Sequence, residues 1–170
     1  LVWHFNDTHT PPPIRQISAY AARKYADEIV VAADAVCDYY FNSKPDSQTI
    51  YAPVDINQFN PEHVNHDETS LRSELGLTSS IPVIGTIGNI NPIKGHKYLL
   101  QAIAELVSDD REVVVPVVGA QLDSRKQYFG ELRDLRAELN HESTVEFVGF
   151  RSDVPELLSL FDVFVLPSIA

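Results

Sequence analysis

Residues 81–97 read IPVIGTIGNINPIKGHK, an apolar run ending in a glycine turn that delivers a lysine to the start of a helix. Ile81 to Ile87 is rich in β-branched residues and opens with Pro82, the composition of a short buried strand. Gly85 and Gly88 let the backbone turn tightly or approach a ligand closely. Beyond Lys94 and Gly95, residues Leu99, Leu100, Ile103 and Leu106 recur at helical spacing. The first turn of that helix carries unpaired N–H groups and a positive dipole end beside an ammonium, a combination suited to a diphosphate. Strand, turn and helix is also how any α/β unit is built, so these residues alone leave Lys94 either a phosphate ligand or a solvated lysine. The glycines at 85, 88 and 95 do not form G-x-G-x-x-G, and Lys94 precedes its glycine where the P-loop lysine follows. Dinucleotide binding and P-loop hydrolysis are therefore disfavoured.

Working outward, the chain after Ile81 keeps a regular rhythm. Strand IPVIGTIG, a helix over Gly95–Val107, strand EVVVPVVG, a helix from Lys126 to Asn140, strand TVEFVG, helix VPELLSLF and strand DVFVLP alternate. Such alternation implies a parallel sheet with right-handed crossovers, whose ligand cleft lies at the carboxyl ends of the strands. The loops after Ile87, Val118 and Val148 then face one cleft, and doubly wound order puts IPVIGTIG beside DVFVLP. Toward the amino terminus, Leu1–Phe5 reads as a strand, Ile14–Tyr25 as a helix, Glu28–Ala32 as a strand, Ala35–Asn42 as a helix and TIYAPVD as a last strand. The polar stretch from Asn57 to Ser80 reads as a linker holding a short helix at Glu68–Leu75. The expected layout is thus the end of one lobe over residues 1–56, a hinge over 57–80 and the first part of a second lobe over 81–170.

Composition narrows the function. With 170 residues and 44% hydrophobic content the chain is globular, and no apolar run approaches the roughly 20 residues that span a bilayer. A formal charge of −11 argues against nucleic acid as a partner and against electrostatic docking on an anionic membrane. Cys37, the single cysteine, excludes an internal disulfide, reads as a buried thiol in VCDYYF, and points to a reducing, cytoplasmic compartment. The chain begins at Leu1, contains no methionine and stops directly after a strand, so it reads as an internal fragment of a longer product.

GTIGNINPIKGHKYLLQAIAEL, VVPVVGA and VEFVGFRSDVPELLSLFDVFVLPS, in this order and spacing, resemble the nucleotide-sugar-binding lobe of retaining GT-B glycosyltransferases of family 4, also called group 1. ADEIVVAAD and IYAPVDINQF are similar to the segments that close that family's first lobe and lead into its hinge. The resemblance implies an α/β fold of two Rossmann-like lobes with parallel sheets, a nucleoside-diphosphate-sugar donor, an acceptor of unspecified class, no essential metal or other cofactor, and transfer with retention at the anomeric carbon. It places Lys94 on the donor diphosphate with Gly88 and Gly95 beside it, and the turn Phe150–Asp153 around the nucleobase, where Phe150 or Arg151 stacks on or hydrogen-bonds to a base. Where the family has an arginine after the glycine matched by Gly88, this chain has Asn89, which can donate a hydrogen bond but carries no charge.

Of the family's usual run before the hinge, only Pro53, Val54 and Asp55 remain. The glutamate pair expected after LPS lies past Ala170, so the fragment is expected to be inactive alone. LVWHFND resembles the strand end that carries a functional histidine, with His4 and Asp7 as the candidates, although aligning Asp7 on the family's aspartate puts Asn6 in the histidine's place. His9, His63, His66, His96 and His141 lack metal-ligand spacing and read as surface residues. Asp109, Asp110 and Glu112 read as a solvated loop. A GT-B-fold nucleotide-sugar epimerase would bind the same donors without an acceptor. A non-catalytic nucleotide-binding module is the third reading; its receiver form would need clustered carboxylates at strand ends, and IPVIGTIG and TVEFVG offer none.

Overall fold

The structure is a computed structural model describing residues 1–42, 45–64, 67–77, 81–107 and 111–169. His66, Asp109 and Asp110 lie outside the described residues. The chain divides into two compact units, Leu1–Asp55 and Ile56–Ala170.

The first unit is a three-stranded parallel sheet in the order β1 (Val2–Phe5), β2 (Glu28–Val31), β3 (Gln48–Thr49), connected through α1 (Pro12–Tyr25) and α2 (Asp34–Tyr40). Pro12 and Pro13 open α1, where a missing N–H costs nothing because the first turn has no intrahelical acceptor for it. Phe5, Ala19, Ala22, Ile29, Val31, Val36, Cys37, Tyr40 and Phe41 form the core, with the Phe5 ring 4.3 Å from Tyr40 and edge-on to Phe41 at 5.4 Å. Cys37 is a buried free thiol, as its apolar surroundings in the sequence indicate. The expected strand TIYAPVD is shorter than its composition predicts. β2 ends at Val31, so only Gln48 and Thr49 find ladder partners, and Ile50, Tyr51 and Val54 are left exposed.

In the second unit a four-stranded parallel sheet runs β6 (Val145–Gly149), β5 (Val115–Val118), β4 (Ile84–Ile87), β7 (Val163–Phe164). The doubly wound expectation of β4 beside the DVFVLP strand holds. α4 (His96–Val107) and α5 (Lys126–Glu138) pack Leu99, Leu100, Ile103 and Leu132 on one face, against Val115, Val117 and Val145. α3 (Glu68–Glu74) and α6 (Val154–Leu160) bring Leu71, Leu157 and Leu160 to the other face, against Val118. Because helices cover both faces, all four residues of β5 are buried and the strand reads as a continuous apolar run.

Pro116 sits inside this central strand, a rare place for a residue with no N–H to donate. The β4–β5 pairing is accordingly split, with a bridge at Val83–Val114 below and Thr86–Val117 above. Asp67 caps α3 by accepting from the N–H groups of Thr69 and Ser70 at 3.1 and 3.2 Å. No helix among the described residues is long and apolar enough to cross a membrane.

Candidate functional site at the strand ends of the second unit

Parallel strands put all their carboxyl ends on one edge, and here three of them end in glycine. The Gly88 N–H donates to the Val118 carbonyl at 2.8 Å, and the Gly119 N–H donates to the Gly149 carbonyl at 2.8 Å. Any Cβ at Gly119 would overlap the Gly88 carbonyl oxygen, so the β4 and β5 exits touch backbone to backbone. VVPVVGA gives no sign of this in the sequence, because the close approach comes from the sheet register and not from local turn chemistry.

From Gly88 the chain crosses Asn89 and Ile90, whose N–H donates to the Ala120 carbonyl at 3.0 Å. Ile90 is buried in the core while Asn89 faces solvent. Asn91 then opens a tight 3₁₀ turn, Pro92–Lys94, its side-chain oxygen accepting from the Ile93 N–H at 3.2 Å. Gly95 closes this turn at φ +69°, a left-handed conformation that suits glycine because it has no Cβ to clash. Gly95 also passes so close to the Pro167 carbonyl that an added Cβ would overlap it. The turn doubles back, so the Lys94 stem lies along Gly88. A Cβ built on that glycine would stand 3.7, 3.8 and 3.9 Å from Lys94 Cδ, Cγ and Cε. The Gly95 carbonyl accepts from the Tyr98 N–H at 2.8 Å as α4 begins. The geometry therefore joins Gly88, Asn89 and Lys94 into one half-exposed surface at a helix start, with Gly95 buried beneath it against Pro167. A phosphate there would meet a cation beside the positive end of the α4 dipole.

Beyond β6, Gly149 turns at φ +84°, and Phe150 follows with 75% of its surface exposed. Arg151 is committed differently. Its Nε donates to Asp153 at 2.8 Å, one terminal nitrogen donates to the same carboxylate, and the other pairs with Glu74 at the end of α3. These bonds push the Arg151 guanidinium above its ordinary pKa and hold the Asp153 carboxyl below its own, the Arg151 hydrogen bond being the main cause. A carboxylate held low stabilises the fold above its unfolded pKa, and that contribution disappears as pH falls through the folded value. Acid unfolding followed by circular dichroism is therefore expected to be less steep below the usual aspartate range in Arg151→Gln than in the parent. Identical acid limbs would show that the clasp contributes nothing.

Two histidines differ from their sequence reading. His96 and His141 are 1% and 3% exposed, not surface residues. His96 opens α4 with its side chain turned into the core, and His141 sits in the turn that leads α5 into β6, where its carbonyl accepts from the Val145 N–H at 2.8 Å. Polar neighbours in the sequence misled because both positions are where a helix end meets the sheet. Burial holds His96 below the ordinary histidine pKa, the Asn91 backbone opposes that fall, and the Lys94 charge adds to it.

In the first unit, His4 lies on the exposed side of β1, in register with Val30. Asp7 accepts from the His9 N–H at 2.9 Å in a local turn. Among the described residues no group of three or more His, Cys, Asp or Glu is placed to hold a metal ion.

A doubly wound second unit with its glycine exits and Lys94 turn, following a first parallel α/β unit, is an architecture of the GT-B type. The HepE protein of Anabaena, solved with UDP and glucose, superposes with a TM-score of 0.84 at 26% identity, over 99% of this chain and 46% of that one. Residues 81–170 match the model of the family described as glycosyl transferases group 1, and the chain belongs to that family. Among curated relatives, the D-inositol 3-phosphate glycosyltransferase of Corynebacterium urealyticum is 30% identical over 169 residues, covering 94% of this chain and 39% of that protein. The spore coat protein SA of Bacillus subtilis is 26% identical over 152 residues, covering 83% of this chain and 40% of that protein. The chain thus spans less than half the length of these relatives.

Proposed function

We propose that this chain is the donor-side portion of a retaining, family 4 glycosyltransferase, in which residues 81–170 hold a nucleoside-diphosphate sugar. Residues 1–56 are the end of the acceptor-side lobe and 57–80 the hinge. The observation that carries the reading is the Lys94 stem lying along Gly88 at the start of α4. Sugar transfer leaves a diphosphate whose charge grows as the anomeric bond breaks. In the absence of a metal, that charge is met by cationic side chains and oriented N–H groups. Lys94 supplies the cation, Gly88 and Gly95 give the backbone its close approach, and Asn89 offers an uncharged donor at the rim. Phe150, exposed and next to Gly149, is the candidate base platform, and Arg151 supports that loop through Asp153 and Glu74. His4 and Asp7 are the candidate catalytic residues of the acceptor side. HepE, whose structure holds UDP and glucose, makes UDP the first donor nucleotide to try.

Calorimetry with UDP, GDP, ADP and NAD tests the reading. At least one nucleoside diphosphate is expected to bind while NAD does not; NAD binding, or silence from all three diphosphates, would overturn it. Asn89→Arg places a second cation near the phosphates and is expected to tighten binding, with the gain shrinking as salt rises. A loss of affinity in this variant would mean that another group already fills the position.

A further inference from the structure

Beneath the proposed diphosphate turn, two buried polar atoms have no hydrogen-bond partner among the described residues: Nδ1 of His96 and Oγ of Ser168. A buried polar atom left unpaired costs about 1–3 kcal/mol, so each calls for an explanation. Their places in the fold are related. Gly95, just before His96, passes against the carbonyl of Pro167, just before Ser168. On the far side of Ser168, the Ile169 N–H donates to the Ile93 carbonyl at 3.0 Å. Ser168 is therefore flanked by the two residues that fasten the segment after β7 to the Pro92–Lys94 turn, and His96 adjoins that same crossing.

The chemistry of the two atoms is complementary. His96 is 1% exposed, a burial that disfavours a charged imidazole. The Asn91 backbone hydrogen bond opposes the fall in the imidazole pKa, and Nδ1 itself has no partner among the described residues. A neutral imidazole carries its proton on one nitrogen and leaves the other as an acceptor, so Nδ1 accepts in the tautomer protonated at Nε2. A serine hydroxyl is a donor free to rotate toward it.

We infer that His96 and Ser168 are positioning residues for the diphosphate turn: the Ser168 hydroxyl donates to His96 Nδ1 when a nucleoside diphosphate at the turn reorients the two side chains across the existing Gly95–Pro167 crossing. This rests on the reading of Lys94 as a diphosphate ligand. Neither residue touches the ligand. Their bond fixes the turn that presents Lys94.

The test uses UDP as the probe, with calorimetry on the parent chain, Lys94→Ala, Ser168→Ala, His96→Gln, His96→Asn and the His96→Gln/Ser168→Ala double variant. Asparagine keeps a polar group near the place of Nδ1, whereas glutamine keeps one near Nε2. Ser168→Ala and His96→Gln are each expected to weaken UDP binding about threefold to tenfold, the range of one net hydrogen bond. The double variant should be no weaker than either single one, and His96→Asn should retain most of the affinity. Nitrogen-15 NMR gives a second readout, independent of stability: the His96 Nδ1 resonance should move on UDP addition in the parent and stay still in Ser168→Ala. Additive losses, a silent Ser168→Ala, or an Nδ1 resonance indifferent to UDP would overturn the pairing while Lys94→Ala still weakens binding. A silent Lys94→Ala would instead remove the diphosphate reading, and this inference with it.

Discussion

Lys94→Ala is expected to weaken UDP binding by about one to two orders of magnitude, because a charge-assisted hydrogen bond contributes roughly 1.5–3 kcal/mol. The size of the effect separates two roles for the same side chain. A solvated lysine is worth little to a ligand, since salt and water screen it. Lys94 is half-buried, and its methylenes lie along Gly88. That packing limits the positions of the ammonium and lowers the entropy lost when it meets a phosphate. Loss of the charge should also flatten the dependence of affinity on salt. Calorimetry at two ionic strengths gives both quantities, and an affinity within a factor of two of the parent would return Lys94 to the ordinary surface lysines. Lys94→Arg is a sharper control. It keeps the charge but exchanges a compact ammonium for a planar fork, so partial recovery identifies charge as the main contribution and full loss identifies geometry.

The sequence told most about elements whose signal is local. Alternating β-branched runs and helical spacing located the described strands and α-helices of the second unit to within a few residues, and doubly wound order placed IPVIGTIG beside DVFVLP, as β4 and β7 lie. The reading failed where the cause is long-range. TIYAPVD has the composition of a full strand, yet β2 offers partners only to Gln48 and Thr49. His96 and His141 looked solvated because their neighbours in sequence are polar, while the surfaces that bury them belong to other elements. Gly85 and Gly119 are required by the Phe161 ring and by the Gly88 carbonyl, contacts that no local pattern encodes. Arg151 was legible as a loop residue, but its partner Glu74 lies 77 positions away. For the candidate site the consequence is specific. The proposed diphosphate residues Gly88, Asn89, Lys94 and Gly95 lie in one short stretch of sequence, whereas His96 and Ser168 come beside them only through the fold.

Gly95→Ala should produce the largest loss of stability among the glycine substitutions of the turn, because two independent costs meet at one atom. At φ +69° an alanine is strained, by roughly 1–3 kcal/mol for a residue held in a sparsely populated region. The same Cβ would overlap the Pro167 carbonyl oxygen, a backbone atom that no rotamer change can move. Overpacking of that kind typically costs about 1–3 kcal/mol more. A loss of about 2–6 kcal/mol is therefore expected, which at about 2–4 °C per kcal/mol is a fall in melting temperature of roughly 4–24 °C. Gly130, in the middle of α5, is the internal comparison. A Cβ there meets nothing within 4 Å, and the site has an ordinary helical conformation. Gly130→Ala should therefore raise stability by about 0.5–1 kcal/mol through helix propensity.

The two variants carry the same added methyl group, so opposite signs in thermal unfolding isolate local geometry as the cause. UDP affinity should divide them again. Relief of the overlap at residue 95 requires the Pro92–Lys94 turn and the Pro167–Ile169 segment to separate, which carries the Lys94 ammonium off the line of Gly88, whereas a Cβ at Gly130 meets nothing and displaces no neighbour. Gly95→Ala should thus lose UDP binding even at temperatures where it remains folded, and Gly130→Ala should bind as the parent does. If Gly95→Ala melts with the parent and binds UDP equally well, the close crossing of the turn and the strand exit is absent from the protein in solution.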